Sequence, residues 1–291
     1  MSHKSGFVNI VGSPNVGKST LMNQLVGEKL SIITSKAQTT RHRIMGIVND
    51  AEYQIVFSDT PGVLNPNYKL HETMMGYVNS AMKDADIILF VTDIFETKVN
   101  HEDTLERLKK TSIPVLILLN KIDLGDQERL EEKVDYWKEI LPNSHIIPIS
   151  AKEGFNLEPV WDYIMKNIPE NPPYYDKEEL TDRPLRFFLS EIIREKIFET
   201  YKKEIPYATQ VVVDAYKDEE DIVKIRATIY VERATQKGII IGHQGKKIKH
   251  VGIQARKDIE AFLEKKVFLD LHAKVDDNWR SNDRKLESFG Y

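Results

Sequence analysis

The chain of 291 residues contains no cysteine. It therefore cannot form disulfides, thiolate zinc sites or iron–sulfur clusters, and it has no cysteine nucleophile. It also lacks long hydrophobic runs, since the longest, Ile87–Val91 and Val115–Leu119, are far shorter than the ~18 residues that span a bilayer. The first residues, Met1 to Ser5, include one lysine and no apolar stretch, so we expect no signal peptide and a cytoplasmic location.

Neither sign of charge dominates the composition. The chain has 41 Lys and Arg against 45 Asp and Glu, a formal net charge of −4. This balance by itself argues against a polyanionic partner. Hydrophobic residues make up 41% of the chain, enough to bury a core, which excludes a disordered or collagen-like chain. The length favours two domains.

Short apolar runs alternate with amphipathic stretches over residues 1–170. Strands that are apolar throughout and are separated by helices are typical of a mostly parallel sheet with helices on both faces. The predicted strands are Phe7–Val11, Tyr53–Phe57, Ile87–Val91, Val115–Leu119 and His145–Ile149. The predicted helices are Lys18–Val26, Tyr68–Lys83, Asn100–Lys110, Gln127–Ile140 and Leu157–Asn167. These residues are expected to form one α/β domain.

A different pattern follows a proline-rich segment. Three prolines and four acidic residues within Ile168–Glu179 cannot continue a helix and predict a linker over 171–184. Beyond it the order α-β-β-α-α-β predicts an α+β domain over 185–276, with a tail over 277–291. Its predicted elements are Leu185–Tyr201, Thr209–Ala215, Ile222–Val231, a helical stretch before Gly242, Lys247–Leu263 and Val267–Val275.

The first strand is followed by a phosphate-binding pattern. The segment Gly12–Ser19 fits G-x-x-x-x-G-K-[ST] and opens a predicted helix, which is the context expected of a P-loop. Its backbone N–H groups and the helix N-terminus attract phosphate oxygens, Lys18 supplies a charge for the β- and γ-phosphates, and Ser19 offers a hydroxyl to Mg²⁺. The predicted nucleotide-binding residues here are Gly12, Ser13, Pro14, Asn15, Val16, Gly17, Lys18, Ser19 and Thr20.

A second motif distinguishes guanine from adenine. The tetrapeptide Asn120–Asp123 follows the strand Val115–Leu119, at the sheet edge where open α/β folds bind ligands. The Asp123 carboxylate can accept two N–H bonds from guanine N1 and N2, which adenine cannot donate. Asn120 either contacts guanine N7 or braces the loops, and Lys121 can lie along the base.

Two further segments end predicted strands. Ser150, Ala151 and Lys152 follow the strand His145–Ile149 and place backbone N–H near guanine O6. The other segment follows Tyr53–Phe57, and its predicted nucleotide-binding residues are Asp59, Thr60, Pro61 and Gly62. Asp59 is a candidate for water-mediated Mg²⁺ binding and the Gly62 N–H for contact with the γ-phosphate.

These four segments together resemble the translation-factor type of GTPase. The resemblance implies a switch threonine that binds Mg²⁺ only in the triphosphate state, for which Thr40 in the loop Ser31–Arg43 is the candidate and Thr39 the alternative. Val63 follows Gly62 where Ras-like GTPases carry a water-orienting glutamine, so we expect slow turnover. The predicted catalytic residues are Lys18, Thr40 and Gly62. Asn15 resembles an asparagine that coordinates K⁺ in some GTPases, so K⁺ dependence is a hypothesis.

The second domain carries a concentrated positive charge. Residues 233–257 include seven Lys and Arg and no Asp or Glu, with a G-x-x-G turn in their middle. Such a turn lets a nucleic-acid backbone approach closely, and this arrangement resembles a type II KH domain. The candidate RNA-binding residues are Arg233, Lys237, Gly242, His243, Gln244, Gly245, Lys246, Lys247, Lys249 and Arg256. His243 and His250 could instead bind a metal, but two isolated histidines favour surface positions.

The whole chain resembles the bacterial Era family of GTPases. The resemblance rests on the GTPase motifs, the switch segment Lys36–Arg43, the KH loop Gly242–Gly245, Ser190–Lys196, Ile253–Lys257 and the terminal Phe289–Tyr291. It implies GTP hydrolysis coupled to assembly of the 30S subunit precursor, binding of the 3′ end of 16S rRNA, and peripheral association of some members with the inner membrane. We expect a monomer that binds Mg²⁺ and GTP or GDP. Trp279 and Arg280 either help to bind RNA or simply pack the tail.

Two other functions remain open from sequence. The second domain could bind a protein or a membrane instead of RNA, or the first could be a P-loop kinase that phosphorylates a small molecule. The motif Asn120–Asp123 and the loop Ser31–Arg43 argue against a kinase.

Overall fold

The computed structural model describes residues 3–97 and 102–291, which form two compact units. One unit comprises the described residues up to Pro66 and from His71 to Asp182. The other comprises Asn67–Leu70 and Arg183–Tyr291. No helix in either described range is long and apolar enough to cross a membrane.

The first unit is built on a six-stranded sheet in the order β2-β3-β1-β4-β5-β6. All neighbouring strands are parallel except β2 and β3. The strands are β1 Lys4–Gly12, β2 Ile44–Asn49, β3 Tyr53–Asp59, β4 Ile87–Asp93, β5 Val115–Asn120 and β6 His145–Pro148. The helices are α1 Lys18–Val26, α2 Lys69–Lys83, α3 Glu102–Lys110, α4 Gln127–Ile140 and α5 Glu158–Asn167.

The predicted mostly parallel α/β fold is confirmed, and within the described residues no predicted element end is wrong by more than three residues. The first two residues of the predicted helix Asn100–Lys110 lie outside the described range. Strands β1, β4 and β5 are buried along almost their full length, which explains why they are apolar throughout.

The sequence did not predict β2, an antiparallel edge strand. Gly46 interrupts its apolar pattern, and glycine weakens a strand signal. A Cβ at this position would lie 2.7 Å from Met22 Cε and 2.8 Å from Val26 Cγ2, so a larger residue would have to displace these side chains. Gly46 therefore lets β2 pack directly on α1, but it also interrupts the apolar pattern by which a strand is predicted.

The proline-rich segment lies along this edge strand. The Ile47 N–H donates to the Leu180 carbonyl at 2.8 Å, and the Thr181 hydroxyl donates to the Met45 carbonyl at 2.7 Å. Gln54 bonds the backbone of Tyr175 through both ends of its amide, at 2.8 and 3.0 Å. The segment thereby forms hydrogen bonds with backbone groups of the edge strand β2, which would otherwise be exposed and could pair with other chains.

The second unit has the predicted order α-β-β-α-α-β. Its sheet has the order β7-β8-β9, with β8 antiparallel to β7 and parallel to β9. Alternate residues of β8 face a core formed with the three helices, and this core includes Ile193, Ile225 and Val251. The elements are α6 Leu185–Thr200, β7 Gln210–Asp218, β8 Val223–Val231, α7 Ala234–Ile241, α8 Lys246–Leu263 and β9 Val267–Val275.

The tail packs against the second unit and contains a short helix, α9 Asp283–Ser288, that the sequence did not predict. Trp279 is fully buried, and its indole N–H donates to the Ala208 carbonyl at 3.1 Å. The rings of Phe289 and Tyr291 lie 5.6 and 6.4 Å from the Trp279 ring. Of the two roles considered for Trp279, these contacts favour packing.

We predict that Trp279→Ala destabilises the protein by about 3–5 kcal/mol, because it removes the largest side chain of this cluster and leaves a cavity. Urea unfolding of the full chain, followed by circular dichroism, measures the loss. Trp279→Phe keeps an aromatic ring and should cost less. An unchanged transition in Trp279→Ala would contradict a packing role.

Candidate functional site

The loops after strands β1, β3, β5 and β6, together with the loop before β2, surround a cleft of about 690 Å³. Open α/β sheets bind ligands at this carboxyl edge, and the volume suits a small molecule. Of the predicted residues, those lining the cleft are Pro14, Asn15, Gly17, Lys18, Ser19, Thr20, Thr40, Thr60, Gly62, Asn120, Lys121, Asp123 and Lys152. Buried in the same loops, behind the lining, are Gly12, Ser13, Val16, Asp59, Pro61, Ser150 and Ala151.

The lysine of the glycine-rich loop is enclosed. Lys18 is 6% exposed, and its ammonium donates to the Ser13 carbonyl at 2.7 Å and to the Gly12 carbonyl at 3.1 Å. Burial lowers the pKa of Lys18 to about 8, against the opposing charges of Asp59 and Glu96. Helix α1 begins at this lysine, so free N–H groups of its first turn face the same loop.

Three oxygen-bearing side chains meet beside Lys18. The Ser19 hydroxyl donates to Asp59 Oδ2 at 2.7 Å and lies 2.9 Å from the Thr40 hydroxyl. Thr40 Oγ1 lies 3.2 Å from the same carboxylate oxygen. Hard oxygen ligands of this kind suit Mg²⁺, which needs few protein ligands when phosphates and water complete its shell.

The carboxylate of this cluster also has unused capacity. Asp59 is fully buried, and among the described residues its Oδ1 accepts no hydrogen bond that meets standard geometry. Burial raises the pKa of Asp59, while hydrogen bonding by Ser19 and the charge of Lys18 act in the opposite direction. A cation beside Asp59 would offset this burial cost, so the residues present fit Mg²⁺.

The two candidate switch threonines have different partners. Thr40 belongs to the cluster with Ser19 and Asp59, whereas the Thr39 hydroxyl donates to the Lys36 carbonyl at 2.7 Å and lies 2.6 Å from the Thr34 hydroxyl. These two contacts of Thr39 lie within its own loop. This difference favours Thr40 over Thr39 as the metal ligand.

Arg43 fixes the end of that loop to the core. Its guanidinium forms a two-point contact with Asp84, at 2.5 and 3.0 Å, and its Nε donates to the Ser58 hydroxyl at 3.0 Å. A third bond reaches Asn9 Oδ1 at 3.3 Å. Arg43 thereby anchors the end of the loop, directly before β2, to the core.

The other end of the cleft carries the Asn120–Asp123 motif. The Ser150 hydroxyl donates to Asp123 Oδ1 at 2.7 Å and so orients that carboxylate. Lys121 pairs with Asp93 at 2.6 Å and is held extended beside the cleft. These contacts bring the loops after β4, β5 and β6 together at one place.

Asn120 braces the loops, one of the two roles considered for it. Its amide donates to the Val16 carbonyl at 2.7 Å and accepts from the Ala151 N–H at 2.9 Å. Gly17 makes this approach possible, since a Cβ there would lie 2.2 Å from Asn120 Nδ2. The Ala151 N–H is thus used within the protein, and a contact of this loop with guanine O6 stays a prediction.

Val63 is directed into the core. It is 3% exposed and packs with Val11 and Val78, while its N–H donates to the Gly12 carbonyl at 3.1 Å. An apolar side chain in this position cannot orient a water molecule. Its packing instead holds the segment after Asp59 close to the glycine-rich loop.

Sequence reasoning missed Asp93 and Glu96. Asp93 is the last residue of β4 and contacts Lys121, and Glu96 lies just after the strand and contacts Ser13. The cleft is also lined by Gln24, Ile32, Ile33, Thr34, Ser35, Lys36, Gln38, Thr39 and Leu124, of which only Thr39 was named individually. The sequence signal available for Asp93 and Glu96 was their position at the end of a predicted strand. The end of β4 lies beside the ends of β1 and β5, where the cleft is formed.

In the second unit, the G-x-x-G turn joins α7 to α8. Gly242 and Gly245 have φ of 69° and 72°, and the Gly245 N–H donates to the Gly242 carbonyl at 3.2 Å. The candidate residues around the turn are exposed or half-buried, and within the described residues none of its lysines or arginines has an ion pair with an acidic side chain. These basic residues are Arg233, Lys237, Lys246, Lys247, Lys249, Arg256 and Lys257.

An apolar groove of about 250 Å³ lies beside this turn, between α8 and β9. Gly252 forms its floor on the helix, and Ile253 and Phe268 are exposed at its sides. Lys249 and Arg256 also line it. The groove therefore combines flat apolar surface with positive charge, the combination that single-stranded bases and their phosphates require. The described residues hold no cluster of three metal-binding side chains, and His243 and His250 are both exposed.

Family comparisons agree with this division of the chain. Residues 7–121 match the family described as 50S ribosome-binding GTPase, and residues 204–280 match the KH domain. The chain is 44% identical over 291 residues to GTPase Era of Staphylococcus epidermidis, with 99% of this chain and 97% of the relative covered. It is also 44% identical over 297 residues to the chloroplastic GTPase ERA1 of Zea mays, covering 100% of this chain and 71% of that protein.

A solved structure matches the whole chain as well. A crystal structure of Era in complex with MgGDPNP and nucleotides 1506–1542 of 16S ribosomal RNA has a TM-score of 0.94 and 37% identity, with 99% of each chain covered. Both predicted motif sets, the GTPase and the KH loop, fall within the matched residues. The chain belongs to the Era family of GTPases.

Proposed function

We propose that this protein is a GTP-hydrolysing switch that binds the 3′ end of 16S rRNA through its KH domain and acts in assembly of the 30S subunit. The observation that carries the proposal is that one chain holds both a phosphate- and guanine-adapted cleft and an unpaired basic turn beside an apolar groove. The related Era bound to MgGDPNP and 16S rRNA supports both halves of it.

In this proposal the cleft binds GTP or GDP by its phosphates and its base. The backbone of Gly12–Ser19 and the ammonium of Lys18 bind the phosphates, and the Gly62 N–H binds the γ-phosphate. Asp123, oriented by Ser150, accepts the guanine N–H groups. Adenine would leave this carboxylate without donors, which supports selectivity for guanine.

Ser19, Thr40 and Asp59 would hold Mg²⁺. The metal, when bound, neutralises charge on the phosphate oxygens. Thr40 belongs to the loop Ser31–Arg43, so its contact with the cluster would be lost if that loop were released when no γ-phosphate is bound. Release of this loop after hydrolysis is the switch that the proposal requires.

Hydrolysis is expected to be slow without a further group. Val63 cannot position water, and no arginine lines the cleft among the described residues. Asn15 is exposed at the cleft, with φ of 63°, and its amide oxygen is available to a cation near the phosphates. This placement supports the hypothesis that K⁺ supplies part of the missing charge.

The KH unit would bind single-stranded RNA. Phosphates would lie along the turn Gly242–Gly245 and the N-terminus of α8, with Lys246 and Lys247 beside them. Bases would enter the groove lined by Ile253 and Phe268. We further propose that the protein acts as a monomer in the cytoplasm. Proteins of that compartment seldom depend on disulfides, which agrees with the lack of cysteine.

We predict that Thr40→Ala weakens binding of a non-hydrolysable GTP analogue by about 10- to 100-fold in the presence of Mg²⁺, because a metal ligand is lost. GDP binding should change little, since this ligand is expected only in the triphosphate state. Titration with a fluorescent analogue measures both constants. Thr39→Ala is the matched control, and an equal loss in that variant would contradict the assignment.

We predict that GTP hydrolysis is at least about tenfold faster in KCl than in NaCl at equal ionic strength, because a bound K⁺ would stabilise charge in the transition state. Phosphate release under single-turnover conditions gives the rates. Asn15→Ala should remove most of the difference between the two salts. Equal rates for the natural chain in both salts would exclude a K⁺ site.

We predict that Gly245→Asp weakens binding of single-stranded RNA from the 3′ end of 16S rRNA by at least about tenfold, because it adds negative charge at the phosphate path and strains a left-handed residue. Fluorescence anisotropy at several salt concentrations measures the affinity. Gly76→Asp adds the same charge at an exposed helical glycine with no neighbour within 4 Å of a Cβ, and should bind normally. RNA binding that does not weaken with rising salt would contradict the proposal. Binding to lipid vesicles or to a protein, with no binding to RNA, would contradict it as well.

A further inference from the structure

Glu96 lies behind the phosphate loop, in the segment that follows β4. Its Oε1 accepts a hydrogen bond from the Ser13 hydroxyl, and its Oε2 accepts one from the Thr92 hydroxyl at 2.6 Å. Its backbone is held as well, because its N–H donates to Asp93 Oδ1 at 3.0 Å and its carbonyl accepts from Lys133 at 2.5 Å. Glu96 therefore has a fixed position relative to the strand and the loop.

Ser13 connects Glu96 to the lysine of the cleft. The Ser13 carbonyl accepts the Lys18 ammonium at 2.7 Å, a shorter contact than that of the Gly12 carbonyl at 3.1 Å. Ser13 and Lys18 are 8% and 6% exposed, so water cannot readily replace these partners. A hydrogen bond to an ionised carboxylate is about twice as strong as one between neutral groups. The carboxylate is thus well suited to hold this part of the loop.

We propose that Glu96 is a positioning residue of the phosphate loop: its carboxylate holds Ser13, and Ser13 holds the Lys18 ammonium where the outer phosphates of the nucleotide bind. This inference rests on the proposed binding of GTP and GDP and extends it to a residue outside the four GTPase motifs. Glu96 acts through its neighbours and need not touch the nucleotide.

Simple electrostatics predicts the opposite change in nucleotide affinity when the charge of Glu96 is removed. A carboxylate near the phosphates repels them, so removing its charge would tighten binding if repulsion were its main effect. If positioning dominates, the same removal weakens binding. The direction of the change in affinity therefore distinguishes a positioning residue from a merely repulsive charge.

The test compares GDP with GMP, which lacks the outer phosphates that Lys18 would contact. Binding of both to the full chain is measured by calorimetry for Glu96→Ala, Ser13→Ala and the double variant. We expect each single variant to weaken GDP binding by roughly tenfold, as for other residues that orient a binding group, with GMP binding unchanged. The double variant should bind GDP no more weakly than the weaker single variant, because either substitution alone already removes the hydrogen bond between Ser13 and Glu96.

Two further variants control for charge and for folding. Glu96→Gln keeps an oxygen that can accept from Ser13 and should recover most of the GDP affinity. Glu106→Gln makes the same charge change on the exposed face of α3 and should leave both affinities unchanged. A general loss of structure would lower GMP and GDP binding together, and the Gln variant would not restore it.

The proposal is overturned if Glu96→Ala binds GDP as tightly as the natural chain or more tightly, or if the two single effects add in the double variant. Failure of the natural chain to bind GDP would instead refute the proposed nucleotide site itself. The two failures are therefore distinguishable in one series of titrations.

Discussion

The side-chain amide of Asn120 holds the two ends of the nucleotide cleft at a fixed separation. It is 3% exposed, and it bonds the Val16 carbonyl on one side and the Ala151 N–H on the other. Loss of either bond would leave a buried polar group unpaired, at a cost of about 1–3 kcal/mol. An amide donates and accepts at once, whereas an ionised carboxylate only accepts, so aspartate could not replace it. The phosphate and base sites are consequently organised before a ligand binds, which lowers the ordering cost of binding.

This brace can act only because of the strand order. Strand β1 lies between β3 and β4, and β5 follows β4, so the glycine-rich loop lies beside the loops that carry Asp59 and Asp93. Residues far apart in sequence thereby meet at one edge. Asp59 accepts a hydrogen bond from Ser19, Asp93 holds Lys121, and Asn120 joins the loops after β1 and β6. The antiparallel β2 only closes the sheet on the far side and carries none of these groups.

The sequence predicted the motif residues of the cleft better than the residues that support them. Nucleotide chemistry fixes the spacing of motifs such as Gly12–Ser19, and buried parallel strands must be apolar, so both were recognisable. Glu96 contacts only other protein atoms, and that pairing depends on tertiary geometry that no local pattern encodes. The strand β2 was missed for the same reason. Gly46 allows it to pack closely on α1, but glycine lowers the strand propensity of the segment. The role of Trp279 likewise depended on its burial, which spacing cannot reveal.

The net charge of −4 conceals two different ways to bind an anion. In the proposed function, the cleft would use backbone N–H groups and one enclosed lysine, whose burial lowers its pKa. The KH turn would instead use seven basic residues in contact with solvent. Screening by salt acts strongly on exposed charges and weakly on buried ones. RNA binding should therefore weaken with rising salt while nucleotide binding persists, so an acidic chain can hold its nucleotide tightly and release its RNA readily.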